Sequence, residues 1–344
     1  MSTGNLHNAM RSLTAATLIA LSAVTLSCTK TQIEPETPKG PAIEFSTKDP
    51  WTKASDEAAL SALKETGFQV WGWFEGTTSG HIFHSEGKTD DGTHVTHVDG
   101  NWTYSPAKYW MNGLYDFAAV YPATVACTYT TAQPGEDPTL TIPDFDVTNQ
   151  DDLLVAFKTG IDGKTPPSTV GLNFKHALTK VNIKVSQNTA EDASNQYKVT
   201  NVRISGIKNL GYISASNSVT KSNWKFDKVS LISFEQTFSE PVLLSNGTNN
   251  GVATLDVWGD DDLLLIPQDI DNQAMQILIE FDYIRGEYTY KRSVNGYIPE
   301  GNLWNSGLEI TYEFLISQED NITFLTPTIK QWEDSQTGAP IIIK

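Results

Sequence analysis

The chain has 344 residues, of which 39% are hydrophobic and 10% aromatic, so it carries enough apolar material for a buried core. Its 41 acidic and 24 basic residues give a formal charge of −17, which repels nucleic acid and anionic lipid and excludes both as predicted partners. The only cysteines are Cys28 and Cys127, too few for a disulfide framework.

The N-terminus predicts an export signal. Arg11 lies just before an uncharged stretch, "LTAATLIALSAVTL", and Ser27 and Cys28 follow it. This run is shorter than the about 20 residues that span a bilayer, so residues 1–27 are predicted to be a signal peptide. The ending "TLSC" resembles a lipobox, which implies cleavage before Cys28 and a lipid on that cysteine. Ordinary secretion with cleavage nearby is the alternative.

The segment after the signal divides into a tether and a first strand. Residues 28–41 are rich in Pro, Thr and Glu, cannot bury a core, and are predicted to be a tether. The sequence "IEFSTKDPWTKA" then begins like a strand, with apolar Ile43 and Phe45. It continues into a proline-interrupted stretch with two sites for a trypsin-like protease, Lys48 and Lys53. A plain strand followed by a loop is the alternative.

Strands predominate in the rest of the chain. A helix of one or two turns is predicted in "SDEAALSALKE", ending at Gly67. Short alternating segments such as "FQVWGWF", "YKVTNVRISGI" and "QILIEFDYI", separated by Gly, Asp and Pro turns, predict strands throughout. The sequence therefore predicts an all-β fold of antiparallel sandwiches. The polar stretch 186–196 predicts a boundary, with domains at 42–190 and 191–344.

Two of these strand segments have a definite predicted orientation. In "FKHALTKVNIKV", the alternation defines an inside, with Val181, Ile183 and Val185, and an outside, with Leu178, Lys180, Asn182 and Lys184. In "YWMNGLYDFAAVYP", one sheet face is predicted to carry four residues: Leu114, Phe117, Ala119 and Tyr121.

No motif predicts catalysis or a cofactor. The histidine pairs His81/His84 and His94/His97 suggest zinc, but residues three apart on a strand point to opposite faces, so solvated hairpin histidines are favoured. The acidic runs "DFDVTNQDD" and "GDDDLL" lack the calcium-loop pattern. A nucleophile elbow, a zinc-binding helix, a P-loop and a dinucleotide fingerprint are all missing from the sequence. The prediction is a protein that is not an enzyme and needs no cofactor or metal.

Several aromatic residues have two interpretations. They could stack on sugar rings, but large aromatics at β spacing more often fill a core, which is the favoured prediction. The residues concerned are Trp71, Trp73, Trp102, Tyr104, Tyr109 and Trp110. His176 is predicted to be a hydrogen-bonded structural residue.

Five blocks of the sequence together resemble one family. In chain order they are "FQVWGWF", "WTYSPAKYWMNGLYDFAAVYP", "GLNFKHALTKVNIKV", "LLLIPQ" and "NITFLTPTIKQW". They follow one another as in the fimbrillins, the shaft and tip subunits of Bacteroidales type V pili. The resemblance covers nearly the whole chain and implies two tandem transthyretin-like β-sandwich domains with Greek-key topology. It also implies export through the periplasm as a lipoprotein to the outer membrane and cell surface, where the protein supports adhesion as part of a fimbria.

The resemblance further implies assembly by strand exchange. A trypsin-like protease removes the first strand, within 42–53, and a neighbour's strand fills the opened groove. The predicted cut follows Lys53, with Lys48 as the runner-up. The apolar residues of the C-terminal tail are the candidate donor strand: Ile341, Ile342 and Ile343. The implied partners are other pilin subunits and the protease, and membrane contact is limited to the lipid anchor. The alternative function is a monomeric surface lipoprotein that binds a glycan or a host ligand.

Overall fold

The computed structural model describes residues 40–47, 57–76, 79–83, 92–130, 136–187, 195–228, 230–244, 254–259, 261, 263–271, 274–299, 301, 304–316 and 322–332. Within this part of the chain, no helix is long and apolar enough to span a bilayer.

The described chain is nearly all strand, as the alternating sequence pattern predicted. The strands of the N-terminal half are β1 (Phe45–Thr47), β2 (Phe68–Glu75), β3 (Gly80–Phe83), β4 (Thr93–Val98), β5 (Asn101–Thr103), β6 (Leu114–Tyr121), β7 (Thr128–Thr130), β8 (Thr139–Asp146), β9 (Leu154–Asp162), β10 (Val170–Leu172) and β11 (Lys175–His176). The C-terminal half contains β12 (Thr179–Gln187), β13 (Asn195–Lys208), β14 (Leu210–Ala215), β15 (Trp224–Lys225), β16 (Leu231–Leu243), β17 (Thr254–Asp256), β18 (Leu263–Leu265), β19 (Gln276–Arg285), β20 (Tyr288–Tyr297), β21 (Leu308–Ile316), β22 (Ile322–Phe324) and β23 (Thr328–Gln331). Single 3-10 turns occur at Val147–Asn149 and Lys221–Asn223.

The helix α1 spans Glu57–Thr66 and is longer than the one or two turns predicted. It contains no breaker before Gly67, and Leu63 anchors it by packing into the core. Gly67 ends it as predicted, because a φ of 75° suits glycine and its N–H donates to the Leu63 carbonyl at 2.9 Å.

Most strands pair into four sheets. In the N-terminal half, the order β11-β9-β6-β2-β4-β5, with β3 beside β2, forms one sheet. A second sheet has the order β15-β14-β8-β7. The C-terminal half contains the order β17-β12-β21-β22, with β18 beside β12 and β23 beside β21, and a four-stranded sheet β16-β13-β19-β20. Most pairings are antiparallel, which confirms the predicted class.

Two pairings are parallel within this mainly antiparallel fold. The strand β1 pairs with β10, and β12 pairs with β21 over eight residues. Both pairs join segments more than a hundred residues apart in the chain. A long connection can return in either direction, so short-range alternation does not reveal the parallel geometry.

Three clusters of buried side chains fill the spaces between the sheets. The N-terminal core contains Ile43, Phe45, Phe68, Phe117 and Phe174 among others. The middle core includes Trp71, Leu140, Ile213, Trp224 and Trp332. The C-terminal core includes Val181, Val199, Ile279, Trp304 and Phe314.

The division into two domains at about residue 190 stays a prediction. All the described residues fall within a single compact unit. Strand β12 precedes residue 190 yet supplies Val181 to the C-terminal core, whereas β14 follows it and pairs with β8 of the N-terminal half. Strand pairing therefore crosses the predicted boundary in both directions.

The two orientation predictions have different outcomes. Val181, Ile183 and Val185 are all buried, as predicted, but Leu178 and Asn182 of the predicted outer set are buried as well, because β12 is covered on both faces. The inclusion of Leu114 in a buried face is wrong, because its side chain is 49% exposed while the next residue, Tyr115, is fully buried. The strand's interior is buried on both faces, so alternation does not identify its inner side.

Candidate functional site

The candidate site is the place where residues 40–47, here called the leading segment, join the N-terminal core. Strand β1 occupies its second half and pairs in register with β10, Phe45 facing Val170 and Thr47 facing Leu172. At its start, Ala42 forms a bridge with Tyr109, and the Ile43 N–H donates to the Lys108 carbonyl at 2.8 Å. The leading segment is thus held through its backbone at both ends.

Two side chains of the leading segment enter the core. Ile43 is 1% exposed and Phe45 is 4% exposed, while Glu44 between them faces solvent. The Phe45 ring lies 5.3 Å from Phe83 and 5.8 Å from Phe117, both in edge-to-face arrangements. Such contacts make Phe45 an integral part of the aromatic core.

The hydroxyl of Tyr104 hydrogen-bonds the backbone of the leading segment. The hydroxyl donates to the Ile43 carbonyl at 2.6 Å and accepts from the Lys108 N–H at 3.2 Å. Burial raises the pKa of Tyr104 to about 12, and the Lys108 hydrogen bond opposes the shift. The phenol therefore remains a hydrogen-bond donor at any physiological pH.

Gly40 allows the chain to approach the core closely. A Cβ built there would lie 2.4 Å from the Trp110 carbonyl oxygen, so a larger residue requires backbone movement. The Trp110 N–H donates to the neighbouring Pro41 carbonyl at 3.1 Å. The start of the leading segment therefore packs closely against the backbone of Trp110.

The other side of the leading segment borders a cleft. This cleft has a volume of about 530 Å³ and is lined by β1, by Leu60 and Lys64 of α1, and by β5. Trp102 of β5 reaches across it, and its indole N–H donates to the Thr47 hydroxyl at 3.2 Å. The leading segment therefore has a full strand partner on one side, β10, and an open cleft on the other.

The predicted modification sites lie outside the described residues. Cys28, Lys48 and Lys53 fall there, as does the candidate donor strand of Ile341, Ile342 and Ile343. Thr47 is nevertheless the last described residue before the predicted cleavage stretch, and Trp332 is the last before the tail.

The described histidines of the pairs His81/His84 and His94/His97 each make a different contact. His81 packs edge-on against Trp73 at 5.0 Å, and His97 packs against Trp102 at 4.9 Å. The His94 Nε2 lies 2.9 Å from the Thr66 carbonyl. His84 lies outside the described residues. Among those described, no three His, Cys, Asp or Glu side chains cluster as metal ligands.

Of the six aromatic residues that could form a sugar platform, two are buried and four, including Tyr104, are partly buried. Trp71 and Trp110 are buried, while Trp73, Trp102 and Tyr109 are partly buried. The core interpretation is therefore correct for the tryptophans that are fully enclosed.

A contact at the C-terminal end of the fold was not predicted. Trp332 stacks on His176 with a centroid distance of 3.5 Å and an interplanar angle of 8°, and His176 Nδ1 lies 2.9 Å from Asp152 Oδ2. This ion-pair or hydrogen-bond contact confirms a structural role for His176. His176 and Trp332 are 156 positions apart, and no local pattern in the sequence indicates their contact.

Comparison with known proteins gives the family. The sequence profile of the fimbrillin-like family matches residues 52–332, most of the chain. The chain therefore belongs to the fimbrillin-like family. This is a structural pilus and adhesin family and not one of enzymes, in agreement with the prediction that the chain is not an enzyme.

One solved structure is similar in fold, and two others match at lower TM-scores. A fimbrial protein from Bacteroides vulgatus has 16% sequence identity and a TM-score of 0.63, covering 85% of this chain and 99% of that one. A candidate cell adhesion protein from Parabacteroides distasonis has 12% identity and a TM-score of 0.45, with coverages of 86% and 97%. A second candidate cell adhesion protein, from Bacteroides uniformis, has 14% identity and a TM-score of 0.42, with coverages of 85% and 97%. The comparison with curated proteins finds no match.

Proposed function

We propose that the chain is a pilin, a shaft, accessory or tip subunit of a cell-surface fimbria that supports adhesion. Membership of the fimbrillin-like family supports this role at the level of a pilus-type adhesion subunit. In the proposal, the precursor is exported as an outer-membrane lipoprotein anchored at Cys28. A trypsin-like protease then cuts after Lys53, or after Lys48, and subunits polymerise by donor-strand exchange.

One observation carries the proposal: the leading segment completes the N-terminal core although it is joined to the rest of the fold through the predicted cleavage stretch. Its two buried side chains, Ile43 and Phe45, contribute roughly 3–6 kcal/mol at about 1.5–3 kcal/mol each. While the chain is intact, this contact is intramolecular and persistent. After cleavage it becomes a dissociable contact between two chains.

Departure of the leading segment would create an acceptor for another strand. The backbone groups of β10 that pair with β1 would lose their partners, and the aromatic pocket around Phe45 would open to water. An incoming strand with alternating apolar residues relieves both costs by β-augmentation. The tail with Ile341, Ile342 and Ile343 has the apolar character that this acceptor requires.

Limited proteolysis tests the proposal. Trypsin should cut the purified precursor first between Lys48 and Ala54, leave the remainder resistant, and start assembly into multimers that withstand mild detergent. The double variant Lys48→Gln with Lys53→Gln should stay monomeric under the same treatment. Equal polymerisation of variant and parent, or retention of the leading segment in mature polymers, would refute strand replacement. A persistent monomer after the correct cut would favour the alternative of a monomeric ligand-binding lipoprotein.

Truncation tests the proposed donor. Deletion of residues 339–344 should give a folded, exported monomer that fails to polymerise, because the tail follows β23, the last strand that the structure describes. Thermal unfolding serves as the control for folding. Normal polymers from the truncated chain would exclude the tail as donor. Failure of the truncated chain to fold would also contradict the proposal, because the tail would then belong to its own fold.

A further inference from the structure

A group of tyrosines lies at the tip of the β19–β20 hairpin. Tyr283 of β19 lies opposite Tyr290 of β20 in the strand register, and Tyr197 of β13 lies opposite Tyr283. Their ring centroids are 5.2 Å apart for Tyr197 and Tyr283 and 6.3 Å apart for Tyr283 and Tyr290. Tyr288 continues the row, 6.5 Å from Tyr290. The four rings run across three neighbouring strands.

Exposure rises steadily along this row. Tyr197 is 1% exposed, Tyr290 is 44% exposed and Tyr288 is 69% exposed. Val294, on the same face of β20, is buried in the C-terminal core. The row therefore starts in the core and continues beyond its margin, so that Tyr288 and Tyr290 are not needed to fill the interior. Exposed aromatic rings grouped in this way are typical of a binding surface.

The exposed rings border a shallow cleft with polar groups. Its volume is about 500 Å³, within the usual range for small-ligand sites, and Asn195, Arg285, Gly286, Tyr288 and Tyr290 line it. The Tyr283 hydroxyl donates to Asn195 Oδ1 at 2.7 Å, which fixes the amide at the cleft wall. Gly286 has a φ of 59° and no atom within 4 Å of a built Cβ, so the hairpin turn leaves the cleft open.

The charged member of this lining is Arg285, a cation in a protein whose formal charge is −17. A guanidinium binds a carboxylate through paired, charge-assisted hydrogen bonds. Tyrosine rings offer an apolar face together with a hydroxyl, which suits a ligand with an apolar face and polar edges. A sugar ring has this division, since its C–H groups and its hydroxyls occupy different sides.

We propose that the cleft formed by Asn195, Arg285, Gly286, Tyr288 and Tyr290, the tyrosine cleft, binds a sugar that carries a carboxylate. The ring stacks on Tyr290 or Tyr288, and the carboxylate pairs with Arg285. This activity is additional to strand exchange and uses no residue of the leading segment. Neutral sugars lack the group that Arg285 recognises and bind more weakly.

Titration calorimetry with matched trisaccharide and disaccharide probes tests the proposal on the uncut precursor. Sialyllactose should bind at least about tenfold more tightly than lactose, the difference expected from one charge-assisted contact. An oligogalacturonide serves as a second carboxylate-bearing probe, and its methyl ester is the neutral counterpart. The site is supported if either acidic probe binds more tightly than its neutral counterpart. The relative affinities of the two acidic probes show whether the preferred carboxylate is that of sialic acid or that of galacturonic acid.

Variants assign the binding to the cleft. Arg285→Gln should abolish the preference for sialyllactose over lactose, and Tyr290→Ala should weaken sialyllactose binding about fivefold or more through lost stacking. Tyr297→Ala is the matched aromatic control, because Tyr297 is 53% exposed, between Tyr290 and Tyr288, but lies on the opposite face of β20. Glu287→Gln changes a charge in the same turn without altering the cleft lining. Both controls should bind like the parent.

Three results would overturn the proposal. The first is that neither acidic probe binds at millimolar concentration, and the second is that neither acidic probe binds more tightly than its neutral counterpart. The third is that Arg285→Gln and Tyr290→Ala leave sugar binding intact but prevent subunits from polymerising, which would make this surface a contact between subunits. Unfolding midpoints of all variants, measured alongside, identify any loss caused by misfolding.

Discussion

Replacement of Phe45 by alanine should destabilise the uncut precursor strongly. The ring is 4% exposed and lies within 6 Å of three other aromatic rings, those of Phe83, Tyr104 and Phe117. Removal of such a buried phenylalanine typically costs about 3–5 kcal/mol. We expect the lower part of this range, about 3 kcal/mol, because β1 pairs with a strand on one side only and can shift to reduce the cavity.

Urea unfolding of the precursor, followed by tryptophan fluorescence, measures this effect. Glu44→Ala is the matched control, since the same strand presents that side chain to solvent and a surface change is usually within about 0.5 kcal/mol. After trypsin treatment and removal of the released strand, the parent and Phe45→Ala chains are identical from Ala54 onward and should unfold at the same urea concentration. A loss for Phe45→Ala no larger than that for Glu44→Ala would refute the placement of the leading segment in the core.

Three further predictions concern other parts of the chain. Cys28→Ala should abolish labelling of the precursor by a fatty-acid analogue, and unchanged labelling would disprove lipidation there. Tyr104→Phe should cost about 1 kcal/mol in unfolding free energy through the lost hydrogen bond to Ile43. The pKa of Tyr104 is raised from 10 to about 12 in the folded protein, so its contribution to the free energy of unfolding is complete below pH 10 and is lost as the pH rises towards 12. The loss of stability between pH 8 and pH 11, measured by urea unfolding, should therefore be smaller for Tyr104→Phe than for the parent. Trp332→Ala should lower the free energy of unfolding by about 3–5 kcal/mol. Trp332→Phe should lower it clearly less, because phenylalanine keeps a ring over His176. Thermal unfolding measures both, and equal losses would show that stacking is unimportant.

Local patterns in the sequence determined the fold class and much of the candidate site. Alternation of apolar and polar residues identified β12 and its buried face, because a side-chain period of two depends only on neighbouring residues. The same reasoning placed Ile43 and Phe45 on one face of a first strand, and the structure buries both. Gly67 ended the helix as predicted, since its positive φ is a local property.

Only the tertiary structure decided which distant segments meet. The parallel partner of β1, the stack of Trp332 on His176 and the pairing of β14 with β8 each join residues far apart in the chain. Their geometry follows from how the sheets pack, and no local period encodes it. For the same reason the sequence could not separate the enclosed Trp71 from the exposed Tyr288, because both are aromatic residues in strands and differ only in whether another sheet covers them.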